Sequence, residues 1–538
     1  MHRLHVALHL LAGAARDDRP AVLVHLHHEL VRLGVGVPEV GLEHVGHVRH
    51  QVDGVVPHEG DPRSVELGDL SGLRLVELDR RWVAHPPYCV ARGNPDHAGP
   101  HYADAVISSA LLTDHYELTM LQASLADGTA DRRSVFELFA RRLPDGRRYG
   151  VVAGIGRVLD AVAEFRFTDD DLTYLRETAV VDEPTLGWLA DYRFSGDVWG
   201  YAEGEAYFPQ SPVLVVEGTF GEAVLLETVL LSILNHDSAI ASAAARMTVA
   251  AGDRPCIEMG SRRTHESAAI ASARAAYVGG FATTSNLAAG RRYGIPTAGT
   301  SAHSFTLLHD TERDAFTAQV ESLGVDTTLL VDTYDVTAAV RLAIDVAGTG
   351  LGAVRLDSGD LPLLAKQVRR QLDDLGATGT KIVVTSDLDE YAIAGLAAAP
   401  VDGYGVGTSL VTGSGHPTCG FVYKLVARAD GTGPDAAMVS VAKKSKDKIS
   451  VGGRKYALRR LDEHGTASAE VIGIGEAPQG DDNDRPLLVP LVAGGERVDD
   501  EPLSRARERL QQSLAELPLQ ARQLSRGEPA IPTLFEED

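Results

Sequence analysis

The stretch GAVRLDSGD, residues 352–360, contains the pattern that decides the fold. A short apolar run at 352–356 ends directly in the turn 357–360, and an amphipathic helical stretch then continues to about residue 375. Short apolar runs that are bounded by turn signals are typical of buried strands. The order of strand, turn and helix therefore predicts one unit of a parallel α/β sheet.

The same order recurs on both sides of this stretch. Apolar runs that end in polar or glycine-rich turns lie at residues 256–259, 294–298, 328–331, 352–356, 381–385 and 401–406. Together they predict a parallel sheet that closes into an α/β barrel, with an open doubly wound sheet as the alternative. Both architectures bind ligands at the loops after the strands, and here those loops carry the chemically capable residues.

Composition and charge exclude several classes of protein. The 538 residues include 75 acidic and 51 basic ones, with a formal charge of -24, so the chain lacks the positive balance of a general phosphate-backbone binder. It has no run of 18 apolar residues that would span a membrane. Cys89, Cys256 and Cys419 are too few and too scattered for a disulfide framework or a zinc site. We therefore expect a reduced, cytoplasmic protein that binds neither nucleic acid nor membrane.

Residues 1–105 differ in composition from the rest of the chain. They contain 13 of the 20 histidines, no lysine, threonine, isoleucine or phenylalanine, and 10 arginines against 14 acidic residues. Their apolar residues show neither a helical nor an alternating period. This restricted alphabet predicts a misassigned start, with the true start near Val106. A poorly ordered extension and a histidine-rich metal-binding tail are the alternatives.

Cationic and glycine-rich loops follow several of the predicted strands. Arginine side chains there suit a carboxylate or a phosphate, although a surface ion pair is the commoner role of a single arginine. The loop at 405–409 can hold a phosphate with backbone amides and hydroxyls. The candidates are Arg262, Arg263, Arg355, Gly405, Gly407, Thr408 and Ser409. The chain has no P-loop, and no dinucleotide fingerprint follows a strand.

Four aspartates and one histidine complete the candidate set. Carboxylates on neighbouring strand ends can hold Mg²⁺ or orient a ribose hydroxyl. Capping is the alternative role for Asp335 and Asp360, which directly precede predicted helices, and it is a weaker alternative for Asp332 and Asp357. His303 follows a predicted strand and a Gly-Thr turn. It is a candidate nucleophile or acid–base group, although a lone histidine is usually structural.

Seven motifs occur in order between about residues 110 and 470. They are Thr113–Met120 (TDHYELTM), Glu258–Arg263 (EMGSRR), Gly280–Gly290 (GFATTSNLAAG), Gly299–Phe305 (GTSAHSF), Val354–Leu361 (VRLDSGDL), Gly405–Ser409 (GVGTS) and Val422–Leu425 (VYKL). This series resembles the signatures of the nicotinate phosphoribosyltransferase family. Residues 1–105 match nothing in that family.

The resemblance implies a reaction and its cofactors. Nicotinate attacks C1 of phosphoribosyl pyrophosphate, giving nicotinate mononucleotide and pyrophosphate, a step in NAD synthesis from nicotinic acid. Mg²⁺ is required, and ATP hydrolysis is coupled through a phosphohistidine, which His303 matches. Asp332 is the candidate that orients this ring, and Asp357 with Mg²⁺ serves the ribose and pyrophosphate. The implied substrate-binding residues are Tyr116, Arg262, Thr284, Ser285, Arg355, Ser358, Gly359, Gly405, Gly407 and Thr408.

The resemblance also implies an architecture. We expect an irregular (β/α) barrel of the type II phosphoribosyltransferase kind and a second α/β domain formed by N- and C-terminal segments. The predicted boundaries place the second domain at 106–235 and 431–538 and the barrel at 236–430. Tyr116 is implied to stack on the pyridine ring from a neighbouring subunit, which predicts a homodimer with a shared site. The basic cluster at 443–448 fits an active-site lid or a solvated loop.

Alternatives to this function remain open at this point. A nicotinamide-using relative carries an aspartate in the loop equivalent to Thr283–Asn286, where this chain has no acid. Since an aspartate there would repel a carboxylate, its absence favours nicotinate. A quinolinate-using enzyme has a much shorter chain and lacks the ATP-coupled histidine motif. A catalytically dead barrel with a binding role is the third alternative.

Overall fold

The computed structural model describes residues 108–443, 450–498 and 500–536. The prediction for residues 1–105 and most of the basic cluster at 443–448 lie outside the described residues. The helices are α1 (His115–Ala126), α2 (Ile155–Glu164), α3 (Asp169–Glu177), α4 (Glu183–Ala190), α5 (Phe220–Val224), α6 (Glu227–Ala251), α7 (Glu266–Val278), α8 (Leu287–Tyr293), α9 (His303–Leu308), α10 (Glu312–Leu323), α11 (Val336–Ala347), α12 (Leu361–Asp374), α13 (Glu390–Gly395), α14 (Thr408–Val411) and α15 (Leu503–Glu516). Ser109–Leu112 and Leu519–Arg522 form 3₁₀ turns.

The strands form two larger sheets, a four-stranded sheet and a two-stranded pair. They are β1 (Arg133–Ala140), β2 (Gly150–Val151), β3 (Asp197–Tyr201), β4 (Ala206–Tyr207), β5 (Leu214–Thr219), β6 (Cys256–Glu258), β7 (Thr283–Thr284), β8 (Thr328–Leu330), β9 (Ala353–Leu356), β10 (Lys381–Thr385), β11 (Gly403–Val406), β12 (Phe421–Ala429), β13 (Met438–Ser440), β14 (Lys455–Leu461), β15 (Ala467–Ile474), β16 (Arg485–Pro486), β17 (Leu488–Ala493), β18 (Glu496–Arg497) and β19 (Thr533–Glu536).

The six-stranded sheet is the parallel sheet that the sequence predicts. Its order is β7-β6-β11-β10-β9-β8, and all five ladders are parallel. The first strand of this sheet along the chain, β6, pairs with the last, β11, as the first and last strands do in a barrel. A single bridge from Thr284 to Thr297 extends the sheet beyond β7. Within the described residues no ladder joins this bridge to β8, so the parallel α/β sheet is confirmed and closure into a barrel is not.

Five of the six apolar runs become strands, and the run at 294–298 does not. Gly294 ends α8 in the left-handed region with φ of +68°. Pro296 has no backbone N–H and cannot donate to a ladder. What remains is two hydrogen bonds around Thr284, in which its N–H donates to the Pro296 carbonyl and its carbonyl accepts from the Ala298 N–H, both at 3.0 Å.

The second domain combines both ends of the described chain, as the predicted architecture requires. Its seven-stranded sheet has the order β13-β12-β1-β5-β3-β17-β18, and β14, β15, β16 and β19 form the four-stranded sheet. Two predicted boundaries need correction. β12 pairs antiparallel with β1, so the segment 421–429 belongs to this domain and not to the barrel. The boundary at 235/236 falls inside α6, which runs unbroken from Glu227 to Ala251.

Helix α6 forms the centre of the packing between these sheets. It contacts α2, α7, α13, β2 and β12, and most of its alanine-rich half is buried. Phe220–Ala251 is the helical stretch among the described residues that is long and apolar enough to cross a membrane. However, 67% of its most apolar window is buried inside the protein. This stretch therefore behaves as a core helix.

A buried ion network joins the N- and C-terminal segments. Arg459 on β14 is fully buried and pairs with Glu470 on β15 at 2.6 Å, with Glu205 at 3.5 Å and with Glu516 of α15 at 3.9 Å. Arg485 contacts Glu205 at 2.8 Å and Glu516 at 2.7 Å. Two guanidinium groups thus face three carboxylates, and of the two arginine side chains Arg459 is fully buried whereas Arg485 is 27% exposed.

We predict that Arg459→Met destabilises the protein by about 3–5 kcal/mol, because it leaves buried carboxylates without their counter-charge. Arg460→Met is the matched control. Its side chain is 40% exposed and reaches Asp484 and Glu536 only at 3.5 and 3.7 Å, so its loss should cost less than about 1 kcal/mol. Urea unfolding of both variants measures the difference. Equal midpoints would show that the buried network does not hold the two segments together.

Candidate active site

Asp332 and Asp357 meet at the carboxyl ends of β8 and β9. Asp332 Oδ2 accepts hydrogen bonds from the Asp357 N–H and from Ser358 Oγ, both at 2.8 Å. The Asp332 side chain is only 3% exposed, and its Oδ1 is buried without a hydrogen-bond partner. Asp357 Oδ1 accepts from the Thr385 hydroxyl at the end of β10. Three neighbouring strand ends are therefore tied together by carboxylates.

His303, the first residue of α9, lies beside these two carboxylates. Its Nε2 is 3.9 Å from Asp332 Oδ1 and 4.0 Å from Asp357 Oδ2, and its Nδ1 is 3.1 Å from the Thr333 hydroxyl. The ring is 40% exposed and so remains accessible. The structure thus brings the three predicted catalytic residues together. The hydrogen bond to the ring comes from Thr333 rather than from Asp332.

The guanidinium of Arg355 adds positive charge to the same region. Its Nη1 donates to the Thr300 hydroxyl, its Nη2 is 4.0 Å from Asp357 Oδ1, and its Nε is buried without a partner. Burial lowers the pKa of Arg355, and the nearby positive charge of Arg262 lowers it further, against the opposing effect of Asp357 and Asp332. Arginine side chains at these strand ends form a suitable receptor for an anion.

Close packing at the end of β11 depends on glycine. A Cβ on Gly405 would lie 2.5 Å from Thr385 Cγ2 and 2.8 Å from Met259 Sδ, both shorter than van der Waals contact. Gly407 precedes α14, whose first residue is Thr408. Of the three residues predicted to hold a phosphate, Gly405 therefore lies within β11, and Gly407 and Thr408 follow it directly, between the ends of β10 and β6.

The predicted substrate ligand Thr284 needs correction. Its side chain is buried, and its hydroxyl donates to Glu258 Oε2, so it is not a free donor for a substrate. Ser285, the next residue, is exposed, and its N–H donates to the Glu258 carbonyl at 2.8 Å. A substrate can therefore reach Ser285 but not the hydroxyl of Thr284.

Two of the four aspartates cap helices, as their alternative interpretation predicted. Asp335 Oδ1 accepts from the Ala338 N–H at 2.7 Å, and Asp360 Oδ1 accepts from the Leu363 N–H at 3.1 Å. Ser358 and Gly359 form the exposed turn before this second cap, and Gly359 has φ of +89°. The turn leads β9 into α12 beside Asp357.

Tyr116 lies in the other domain, on α1. The side chain is 44% exposed, and α1 packs against α4 and α5. Partial burial and the negative charge of Glu227 raise the pKa of Tyr116. Within one chain, the structure does not bring this ring to the strand ends.

Several residues that sequence reasoning missed take part in the site. Thr300, Thr333 and Thr385 contact Arg355, His303 and Asp357 respectively, and Glu258 lies buried below Thr284. Thr300 and Thr333 stand within three residues of a candidate, and Thr385 ends the predicted strand at 381–385, so position at a predicted strand end was the available signal. Ser386 follows β10 with φ of +152°, a conformation unusual for a residue other than glycine.

Comparison with known proteins assigns a family to this arrangement. A model of the nicotinate phosphoribosyltransferase (NAPRTase) N-terminal domain matches residues 111–235. The chain is 56% identical to a Mycobacterium tuberculosis nicotinate phosphoribosyltransferase, pncB1, over 459 residues, which are 83% of this chain and 98% of the relative. The chain belongs to the nicotinate phosphoribosyltransferase family.

Other members of the family agree with this assignment. The Bacillus subtilis nicotinate phosphoribosyltransferase is 39% identical over 367 residues, 66% of this chain and 74% of that protein. The crystal structure of human nicotinic acid phosphoribosyltransferase superposes with a TM-score of 0.68 at 26% identity, covering 79% of this chain and 98% of the human one. The predicted family and its α/β fold are therefore confirmed.

We predict that Gly405→Ala destabilises the protein by about 1–3 kcal/mol, because the new methyl group overlaps Thr385 and Met259. Gly403→Ala, on the same strand, is the control, since its Cβ would lie 3.5 Å from the nearest atom. Thermal unfolding and turnover should be measured for both variants. If Gly405→Ala unfolds at the same temperature as Gly403→Ala, close packing at this strand end does not require glycine.

Proposed function

We propose that the protein is a nicotinate phosphoribosyltransferase that couples synthesis of nicotinate mononucleotide to ATP hydrolysis through phosphorylated His303. The observation that carries the proposal is the convergence of His303, Asp332, Asp357 and Arg355 at adjoining strand ends of a chain 56% identical to a relative of that name. Nicotinate, phosphoribosyl pyrophosphate and ATP are the substrates, and we expect the enzyme to act in the cytoplasm.

In the transfer step, the pyridine nitrogen of nicotinate forms a bond to C1 of the ribose. The bond between C1 and the pyrophosphate oxygen breaks, and pyrophosphate leaves with that electron pair. The transition state resembles an oxocarbenium ion, so charge stabilisation and a held leaving group matter more than a strong base. Asp357 faces the ribose and Arg355 the phosphates. Arg262 faces the nicotinate carboxylate.

The smaller groups of the site complete substrate binding. Gly405 near the end of the central strand β11, with Gly407 and Thr408 directly after it, would hold the 5′-phosphate through backbone N–H groups and a hydroxyl. Ser358 and Gly359 present the exposed turn beside Asp357 to the ribose. Ser285 is exposed on the loop next to Arg262. Its hydroxyl would donate a hydrogen bond to the substituent of the pyridine ring.

The surroundings of His303 assign separate roles to its two nitrogens. Asp332 and Asp357 lie near Nε2 and favour the tautomer with the proton on that atom. Nδ1 then carries the lone pair and accepts a hydrogen bond from the Thr333 hydroxyl. When this hydroxyl turns aside, Nδ1 attacks the γ-phosphorus of ATP. The N–P bond forms, the bond to the bridging oxygen breaks, and ADP leaves.

The carboxylates fit the Mg²⁺ that the family resemblance implies. Oxygen donors are the ligands that Mg²⁺ prefers, and Asp332 Oδ1 is a buried oxygen without a partner. No group of three or more acidic, histidine or cysteine side chains in the described part of the chain is arranged to hold a metal alone. Asp357, with the neighbouring carboxylate of Asp332, would therefore bind the ion together with oxygens of the substrate phosphates. The ion would neutralise charge on the pyrophosphate.

The loop between β7 and α8 supports nicotinate over nicotinamide as substrate. Thr283–Asn286 contains no acid that would repel a carboxylate. Asn286 is already engaged, since its Nδ2 donates to Ser261 Oγ at 3.0 Å and its Oδ1 accepts from the Ala289 N–H at 2.8 Å. Arg262 follows Ser261, the residue that Asn286 contacts, and its positive charge would attract an anionic ring substituent.

A homodimer with a shared site would bring Tyr116 to the substrate. Leu112, Tyr116 and Met120 are spaced four residues apart, and they are 51%, 44% and 37% exposed. Around the strand ends, Leu287, Leu307 and Leu308 are also exposed. Two such apolar surfaces on one chain are suited to a two-fold contact in which each covers the other.

The test of the function is product formation from phosphoribosyl pyrophosphate and Mg²⁺, with nicotinate or nicotinamide, with and without ATP. We expect nicotinate mononucleotide, formed faster when ATP is present. Turnover with nicotinamide alone would reassign the substrate. Absence of turnover with either base, from folded protein, would support the catalytically dead barrel.

We predict that His303→Ala reduces nicotinate-stimulated ATP hydrolysis to background and removes acid-labile phosphate from the protein, because no other group replaces Nδ1. His309→Ala is the control. This residue directly follows α9, and its Nδ1 lies 2.9 Å from the Phe305 carbonyl. ATP hydrolysis at the unaltered rate by His303→Ala would exclude the phosphohistidine.

We predict that Tyr116→Ala and His303→Ala subunits complement each other. If Tyr116 acts across the dimer, a heterodimer isolated with two different affinity tags has one intact site of two and about half the unaltered activity. Each homodimeric variant should be far less active. A heterodimer no more active than the two homodimeric variants would mean that Tyr116 and His303 of one site belong to the same subunit, or that Tyr116 lies outside the site.

A further inference from the structure

Glu258 is a buried carboxylate at the end of β6 to which the mechanism above gives no role. The residue is 1% exposed. Its Oε1 accepts from the Gly260 N–H, and its Oε2 accepts from the Thr284 hydroxyl. Burial raises the pKa of Glu258, while these two hydrogen bonds oppose that rise. A buried carboxylate is costly unless it is bonded, so its two donors are essential to its placement.

The donors belong to two different strand-end loops. Gly260 opens the turn that leads to Arg262, and Thr284 ends β7 directly before Ser285. A second hydrogen bond joins the same loops, from Asn286 Nδ2 to Ser261 Oγ. The Thr284 hydroxyl also accepts from the Asn286 N–H at 3.0 Å. The Glu258 carboxylate, the Thr284 hydroxyl and the amide groups of Asn286 therefore connect the two loops through consecutive hydrogen bonds.

Gly260 also packs against a third loop, the one that follows β11. A Cβ there would lie 2.1 Å from Val411 Cγ1 and 3.3 Å from the Gly407 carbonyl. The Met259 N–H also donates to the Val406 carbonyl at 2.8 Å. The turn held by Glu258 is consequently pressed against the end of β11. His303 and its carboxylates stand at β8 and β9, which are separated from β6 by β11 and β10 in the sheet order.

We propose that Glu258 is a positioning residue that sets the separation of Arg262 from the Ser285–Asn286 loop, and through it the affinity for the aromatic acid. This inference rests on the proposed function, in which those two loops bind nicotinate. Glu258 acts through Gly260 and Thr284 and touches no substrate itself. Its loss should therefore weaken nicotinate binding more than it weakens the use of ATP.

The test compares Glu258→Ala with Glu258→Gln. The alanine variant leaves two buried donors unpaired, and we expect the KM for nicotinate to rise about tenfold or more, with the KM for ATP changed less than about twofold. Glutamine can accept from Gly260 through Oε1 and donate to the Thr284 oxygen through Nε2, so it should recover most of the affinity. Calorimetric titration with nicotinate measures binding apart from turnover.

Variants of the partner residue test the route of the effect. Thr284→Val should reproduce the rise in nicotinate KM, and Thr284→Ser, which keeps the hydroxyl, should not. The double variant Glu258→Ala with Thr284→Val should be no worse than the poorer single variant, since both remove one connection. Equal losses in kcat/KM for every substrate, together with a lower unfolding temperature, would mean a merely structural role. An unaltered protein without nicotinate turnover would instead refute the proposed function.

Discussion

The position of the reactive groups depends on the carboxylate of Asp332. This side chain stands where β8 ends and accepts two hydrogen bonds from the first residues after β9. The bonds hold the backbone at Asp357, whose second oxygen lies 4.0 Å from His303 Nε2. Without them, the turn at Asp357 and Ser358 would lack its anchor to β8. One oxygen of Asp332 is thus structural, and the other is buried without a hydrogen-bond partner.

Negative and positive side chains lie on different sides of the site and do not neutralise each other in pairs. Carboxylates lie on the side of Nε2 of His303, and the guanidinium groups of Arg355 and Arg262 lie across the adjoining strand ends. The unpartnered Arg355 Nε and Asp332 Oδ1 show that neither side is satisfied by the protein alone. A substrate that carries phosphates together with a cation would satisfy both. The structure therefore favours a polyphosphate ligand more strongly than any single residue does.

The sequence predicted those parts of the fold that depend on local patterns. Apolar runs gave five of the six parallel strands, and acidic residues before helices marked the caps at Asp335 and Asp360. The run at 294–298 misled because periodicity does not register that Pro296 lacks a donor. The domain boundary predicted at 235/236 falls inside α6, where Asn235 Oδ1 accepts from the Phe421 N–H at 2.9 Å.

Contacts between distant segments could not be read from the sequence in this way. The sequence places Thr333 directly after Asp332, but only the fold shows that its hydroxyl contacts the His303 ring, 30 residues away. The same holds for Thr284, whose hydroxyl matched a substrate ligand by motif but lies buried against Glu258. A motif records which residues a site uses, and only packing decides which of them face the ligand. The buried members then determine how precisely the exposed members are held.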